Sequence, residues 1–170
     1  ARLAESTTTR ARERSDLVEL AEAVRLARAA LVLAPDHPMA RAALGEALSE
    51  QGALAEAREQ LEAVAASSWN GAYVSALRLA LLDLDQGDHA AARTHLARVR
   101  QLRPQSAEAD SVEAQLALAE GRPADAAAAL RRALVSMPAW GEAWGRLADA
   151  LRLAGERAGA VEALARTDAP

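Results

Sequence analysis

From Ser15-Asp16 onward the apolar residues fall three and four positions apart: Leu17, Leu20, Val24, Ala27 and Leu31 line one face of a helix that stops before Pro35. Ser15-Asp16 suits the N-cap, because a short oxygen-bearing side chain can accept from the first free N–H groups. Beyond Pro35 the same spacing continues but is punctuated by Gly52, Gly87, Gly121 and Gly155, at intervals of 35, 34 and 34 residues. Five residues after each glycine stands Ala57, Ala92, Ala126 or Ala160, and nine after it Leu61, Leu96, Leu130 or Leu164. Leu44-Gly45, Leu79-Ala80 and Leu147-Ala148 precede three of the glycines by eight residues, and Pro35, Pro104 and Pro138 close units, with Trp69 in the remaining proline position. A glycine ends one helix cheaply and a proline ends the next, so each unit predicts two helices.

The expected helices run from Pro38 to about Gln51, Ala53 to Ser67, Tyr73 to Gln86, an Asp88-capped start to Leu102, Ala107 to Glu120, Pro123 to Ser136, Glu142 to Ala154, and Arg157 to Arg166. With the helix over 15–34 this gives nine helices in units of about 38–71, 72–106, 107–140 and 141–170. Residues 15–170 form one helical repeat domain with no visible boundary, after a polar, frayed segment at 1–14. A period in the thirties means that each unit buries its apolar face only against its neighbours.

Composition supports the all-α reading. Half the residues are apolar, but there is no phenylalanine, one tyrosine and three tryptophans. Alanine and leucine, which dominate, favour helix over strand. There is no cysteine, which excludes disulfides and thiolate metal sites. Every basic residue is arginine, so lysine Schiff-base and phosphate-loop chemistry are excluded, and the arginine and alanine excess suggests a GC-rich bacterial source. A net charge of −4 without a concentrated basic block or stacking aromatics argues against nucleic-acid binding. The longest uncharged run, 63–77, has 15 residues and includes Ser67, Ser68 and Asn70, so this segment does not insert into a membrane. The compartment stays open between bacterial cytoplasm and periplasm.

Three histidines are the whole catalytic inventory beyond carboxylates and hydroxyls. His37 reads as a capping or surface residue, and the spacing of His89 and His95 puts them on different faces of a helix, unsuited to a shared metal. No metalloprotease helix, nucleophile elbow or phosphate loop is present. No catalytic residue, metal site or cofactor is expected. The Gly141–Gly145 and Gly155–Gly159 pairs lie in charged segments and read as close-packing or turn positions.

The columns resemble the tetratricopeptide repeat, with its early tryptophan, Leu-Gly pair, helix-breaking glycine, alanine, large apolar residue and closing proline. The match is carried by Trp144, Leu147-Ala148, Leu151, Gly155, Ala160 and Leu164 in the fourth unit, and by Leu44-Gly45, Leu48, Gly52, Ala57 and Leu61 in the first. Ala114, Gly121, Ala126, Leu130, Ala133 and Pro138 carry it in the third, and the helix before Pro35 is similar to the second helix of an incomplete repeat. Asp83 departs from the pattern in a column that is usually large and buried, and Glu113 replaces a leucine; both carboxylates are expected to reach water through a slight rotation of the helix.

The resemblance implies an all-α, right-handed superhelical solenoid of antiparallel helix pairs, whose first helices line a concave groove for a peptide or helix of a partner protein. The implied groove residues are Met39 and Glu46, then Val74, Leu77, Arg78, Leu81 and Leu84. Val112 and Gln115 follow, then Arg146, Asp149 and Arg152. Leu77, Leu81 and Leu84 recur on a face apart from Leu79 and Leu82; either a curled superhelix covers that face or it binds something. Arg78 and Arg146 are expected to engage carboxylates of the partner. Val161 and Leu164 leave the last helix with an uncapped apolar side, open to self-association or to further chain. The function expected is a non-catalytic protein-interaction scaffold in a larger bacterial assembly; the alternative is a regulatory or targeting segment of a multidomain enzyme or of an envelope or secretion protein.

Overall fold

The computed structural model describes the backbone of residues 2–167 and the side chains of residues 18–167. Among them are nine helices and no strand: α1 (Arg2–Leu33), α2 (Pro38–Glu50), α3 (Leu54–Ala65), α4 (Ala72–Asp85), α5 (His89–Leu102), α6 (Ala107–Ala119), α7 (Pro123–Ser136), α8 (Gly141–Leu153) and α9 (Arg157–Leu164). The all-α class and the pairing of helices expected from the spacing are both present. Helix α1 begins well before Ser15-Asp16; its first turns hold Leu3, Ala4 and Glu5, which favour helix enough to continue it through Thr7 to Thr9. The segment expected to be frayed at 1–14 is therefore helical from Arg2 on, while its side chains lie outside the described ones.

The four periodic glycines share one geometry. Each has a positive φ, between 72° and 86°, and a Cβ there would force the left-handed region that L side chains avoid. The N–H after each glycine reaches back across the turn: Ala53 to the Leu48 carbonyl (2.9 Å), and Asp88, Arg122 and Glu156 to Asp83, Ala117 and Leu151 (2.8 Å each). This is the six-to-one bond of a Schellman cap, which satisfies a carbonyl that the helix end would otherwise leave open. Starts are fixed as regularly. The His37 Nδ1 accepts from the Ala40 N–H at 3.3 Å with Pro38 in the first turn, Asp88 accepts from Ala91 at 3.0 Å, and Ser106 accepts from Ala109 at 3.1 Å.

The chain forms two compact units, Ala1–Ser75 and Ala76–Pro170. In the first, Val24 and Ala27 of α1 pack with Leu44, Ala47 and Leu48 of α2 and with Ala57 of α3. Gly45 lies so close to α3 that an added Cβ would stand 2.7 Å from Leu61 Cγ and 3.3 Å from the Ala57 carbonyl. In the second, one core runs through α6, α7, α8 and α9, from Ala114 and Ala117 through Leu130 and Leu134 to Leu147, Leu151 and Ala163. Trp144 packs on that core, donates to the Pro138 carbonyl at 2.8 Å and carries the Arg166 guanidinium over its ring. Gly141 is a close-packing position, since a Cβ there would stand 2.5 Å from the Thr167 carbonyl, whereas a Cβ on Gly145 would make only ordinary contact, 3.5 Å from Thr167 Cγ2.

The column leucines Leu61, Leu96 and Leu130 are buried, whereas Leu164 is 56% exposed and Val161 69%. The apolar side expected on the last helix is therefore present on α9.

Candidate partner-binding face

In the first unit, Met39 is exposed and Glu46 half-buried; Glu46 lines a hollow of about 470 Å³ between α1 and α2, beside Glu19, Leu20 and Glu50. Val74, at the start of α4, is 39% exposed.

Within the second unit, Leu79 and Leu82 of α4 are buried while Leu77, Leu81 and Leu84 each keep part of their surface in solvent. An α-helix turns 100° per residue, so 77, 81 and 84 share a stripe that is distinct from the buried one. On α6 and α8 the charged candidates are already engaged. Arg146 Nη1 donates to Ser111 Oγ at 3.2 Å and its Nη2 to Glu142 Oε1 at 2.7 Å. Arg152 stands 3.6 Å from Asp149, and Gln115 is half-buried. The Arg146–Ser111 bond joins α8 to α6, so both helices present these positions on one side. Ser111 and Arg146 are 35 residues apart, one repeat plus one step, which is the signal in the sequence that relates them.

Val112 corrects the expected site. It is 4% exposed, because α6 is enclosed on more than one side, with Ala109, Ser111, Ala114 and Leu116 buried as well. Its side chain offers nothing to a partner.

Asp83 is the second correction. Rather than reaching water it is fully buried, and its Oδ2 lies 2.6 Å from the Nδ1 of His95 on the facing helix. A buried carboxylate needs such a partner, since desolvating it without one is costly. Glu113 does reach water, but it also takes part in a four-membered ring of charges with Arg100, Asp110 and Arg132. The remaining histidine, His89, lies 3.9 Å from Glu120, which is clasped by Arg93 and Arg122. The bond from Arg122 holds the Glu120 carboxyl below its ordinary value. Glu108 is lowered too, by its own backbone N–H and by the Ser106 hydroxyl at 2.7 Å. Among the described residues no group of three or more metal-ligating side chains converges, and no helix is long and apolar enough to cross a membrane.

Known structures share the helical-repeat fold. MamA protein superposes with a TM-score of 0.71 at 18% identity, covering 91% of this chain and 84% of its own. A tetratricopeptide repeat protein from Parabacteroides merdae gives 0.72 at 16% identity, over 86% of this chain and 57% of that one. YrrB, a tetratricopeptide repeat protein with an unusual peptide-binding site, gives 0.64 at 21% identity, over 90% and 78%. At these identities the likeness speaks for the fold. No curated protein sequence matches significantly. The tetratricopeptide repeat family model matches residues 8–72, 77–139 and 111–170. With that span matched and with the same capped helix pairs repeating along it, the chain belongs to the tetratricopeptide repeat family.

Proposed function

We propose that this chain is a non-catalytic scaffold that binds a peptide or helix of a partner protein along the first helices of its repeats, as one part of a larger bacterial assembly. Membership of the family supports a protein-interaction role in general. The observation that carries the finer reading is the leucine stripe of α4. Leu77, Leu81 and Leu84 are neither core nor solvent residues, and covering them with a partner's apolar side chains removes the water they still touch. Arg78 lies beside the stripe, about 60° round the helix from Leu81. On α6 and α8, Gln115, Arg146, Asp149 and Arg152 supply polar groups that exchange internal pairs for contacts with the partner. Such an exchange gives selectivity more than affinity, because each pair broken offsets a pair formed.

The test is Leu81→Arg. Immobilised chain incubated with extract of the source organism should retain a protein that the variant loses, while circular dichroism and melting temperature stay the same. Loss of helicity together with binding would assign Leu81 to the core instead and contradict the proposal.

A further inference from the structure

The second unit is held together in two different ways. From α6 to α9 the helices share one apolar core, and among the described residues that core contains none from α5. At the α5–α6 junction the leucine column, filled by buried Leu44, Leu79 and Leu147 elsewhere, holds Glu113. There a closed ring of charges stands beside buried Leu96 of α5 and Leu116 of α6. Arg100 Nη2 of α5 donates to Asp110 Oδ1 at 2.6 Å and to Glu113 Oε2 at 2.9 Å, and Arg132 of α7 meets the same two oxygens at 2.9 Å each through Nε and Nη2. Two hollows flank the ring: one of about 290 Å³ walled by Arg93, Leu96 and Leu116, and one of about 360 Å³ beside Pro104, Gln105 and Ser136. Helix α5 also packs more sparsely on α6 than α7 does on α8, the equivalent junction one repeat later.

We propose that the α5–α6 junction is an ionic latch on a hinge, which lets the α4–α5 pair pivot against the α6–α9 block when the ring of Arg100, Asp110, Glu113 and Arg132 is loosened. Three features make it a hinge. Apolar packing is stiff because close-packed side chains have few alternative arrangements, whereas open hollows leave room for displacement. Attraction between charges weakens when salt screens it, and apolar burial does not. Finally, the Glu113 and Arg132 side chains are 47% and 51% exposed, so dissolved ions reach them, while Asp110, at 9%, keeps Arg100 and Arg132 as its partners. The latch is thus closed at low ionic strength and released by competing ions or by a partner's own charges.

The chain has no cysteine, so spin labels can be placed at will. One pair at exposed Ala90 of α5 and Ala128 of α7 reports across the latch, and a second at Ala128 and exposed Ala158 of α9 reports across the apolar junction. Raising the salt from about 0.1 M to about 1 M shortens the screening length from about 10 Å to about 3 Å. The Ala90–Ala128 distance distribution should broaden over that range while the Ala128–Ala158 distribution stays unchanged. Glu113→Leu, which restores the column leucine, should keep the first distribution narrow at both salt concentrations. An Ala90–Ala128 width that ignores salt, equal broadening of both pairs, or undiminished broadening in Glu113→Leu would each overturn the proposal. If Glu113→Leu misfolds, seen as a broad Ala128–Ala158 distribution at low salt, the salt comparison in the unsubstituted chain decides alone.

Discussion

At the scale of single residues, closeness is what the small side chains provide. Gly45 admits Leu61 and the Ala57 carbonyl to distances that any Cβ would violate, and Leu61 is itself fully buried. Gly45→Ala should destabilise the first unit by about 1–3 kcal/mol, the usual cost of overpacking, although alanine is the better helix former. Denaturant unfolding checks this; a gain in stability would mean that α2 and α3 separate freely. The same column argument separates two leucines of identical type. Leu130→Ala, at a fully buried site, should cost about 2–5 kcal/mol, whereas Leu164→Ala, at a site 56% exposed, should cost well under half of that. Equal losses in the two variants would mean that α9 is covered as α7 is. Asp83 teaches the reverse lesson. Its column predicted a large apolar residue and its charge predicted water, yet neither holds, because His95 meets it across the α4–α5 turn. That pairing depends on which faces of two helices meet, which residue type alone does not encode.

At the scale of helices, most of the boundaries were legible because local chemistry sets them. Pro38 and Pro123 open helices, His37 and Asp88 cap them, and the positive-φ glycines close them; the expected ends of α2, α4, α6 and α8 agree with the structure to within one residue. What the sequence concealed are links made by long side chains between helices: Arg100 and Arg132 on Asp110 and Glu113, and Arg93 and Arg122 on Glu120. An arginine reaches several carboxylates from one Cα, so spacing alone leaves the choice open. These links carry a pH prediction. The Glu120 and Glu108 carboxyls are held below their ordinary value of 4.5, by the Arg122 bond in one case and by the backbone N–H and Ser106 in the other. A lowered carboxyl binds its proton more readily in the unfolded chain, so its contribution is present above pH 4.5 and fades as pH falls through the lower folded value. Glu120→Gln should therefore melt below the unsubstituted chain at pH 7, and the gap should be smaller at acid pH as the carboxylate is neutralised. A gap of the same size at both pH values would assign the loss to packing rather than to charge.

At the scale of the molecule, the sequence period determined the class of fold, since repeated units that bury apolar faces only on their neighbours have few other ways to satisfy them. It says less about the face proposed to bind a partner. Leu77, Leu81 and Leu84 do keep solvent contact, in keeping with the stripe seen in the sequence, but Val112 turned inward and Arg146 was taken by Glu142 and Ser111. The periodic columns describe how units pack, whereas partner-facing positions are those the period leaves free to vary; one sequence cannot separate them from ordinary surface.

The central claim, that first-helix faces of this scaffold hold a partner polypeptide, is met most directly by site-specific photocrosslinking in the source cell. With a photoreactive residue at Leu81, and separately at exposed Val135 of the second helix α7, the account predicts a discrete crosslinked protein from position 81 and none from position 135. Crosslinks from Val135 alone, or the same product from both positions, would contradict it.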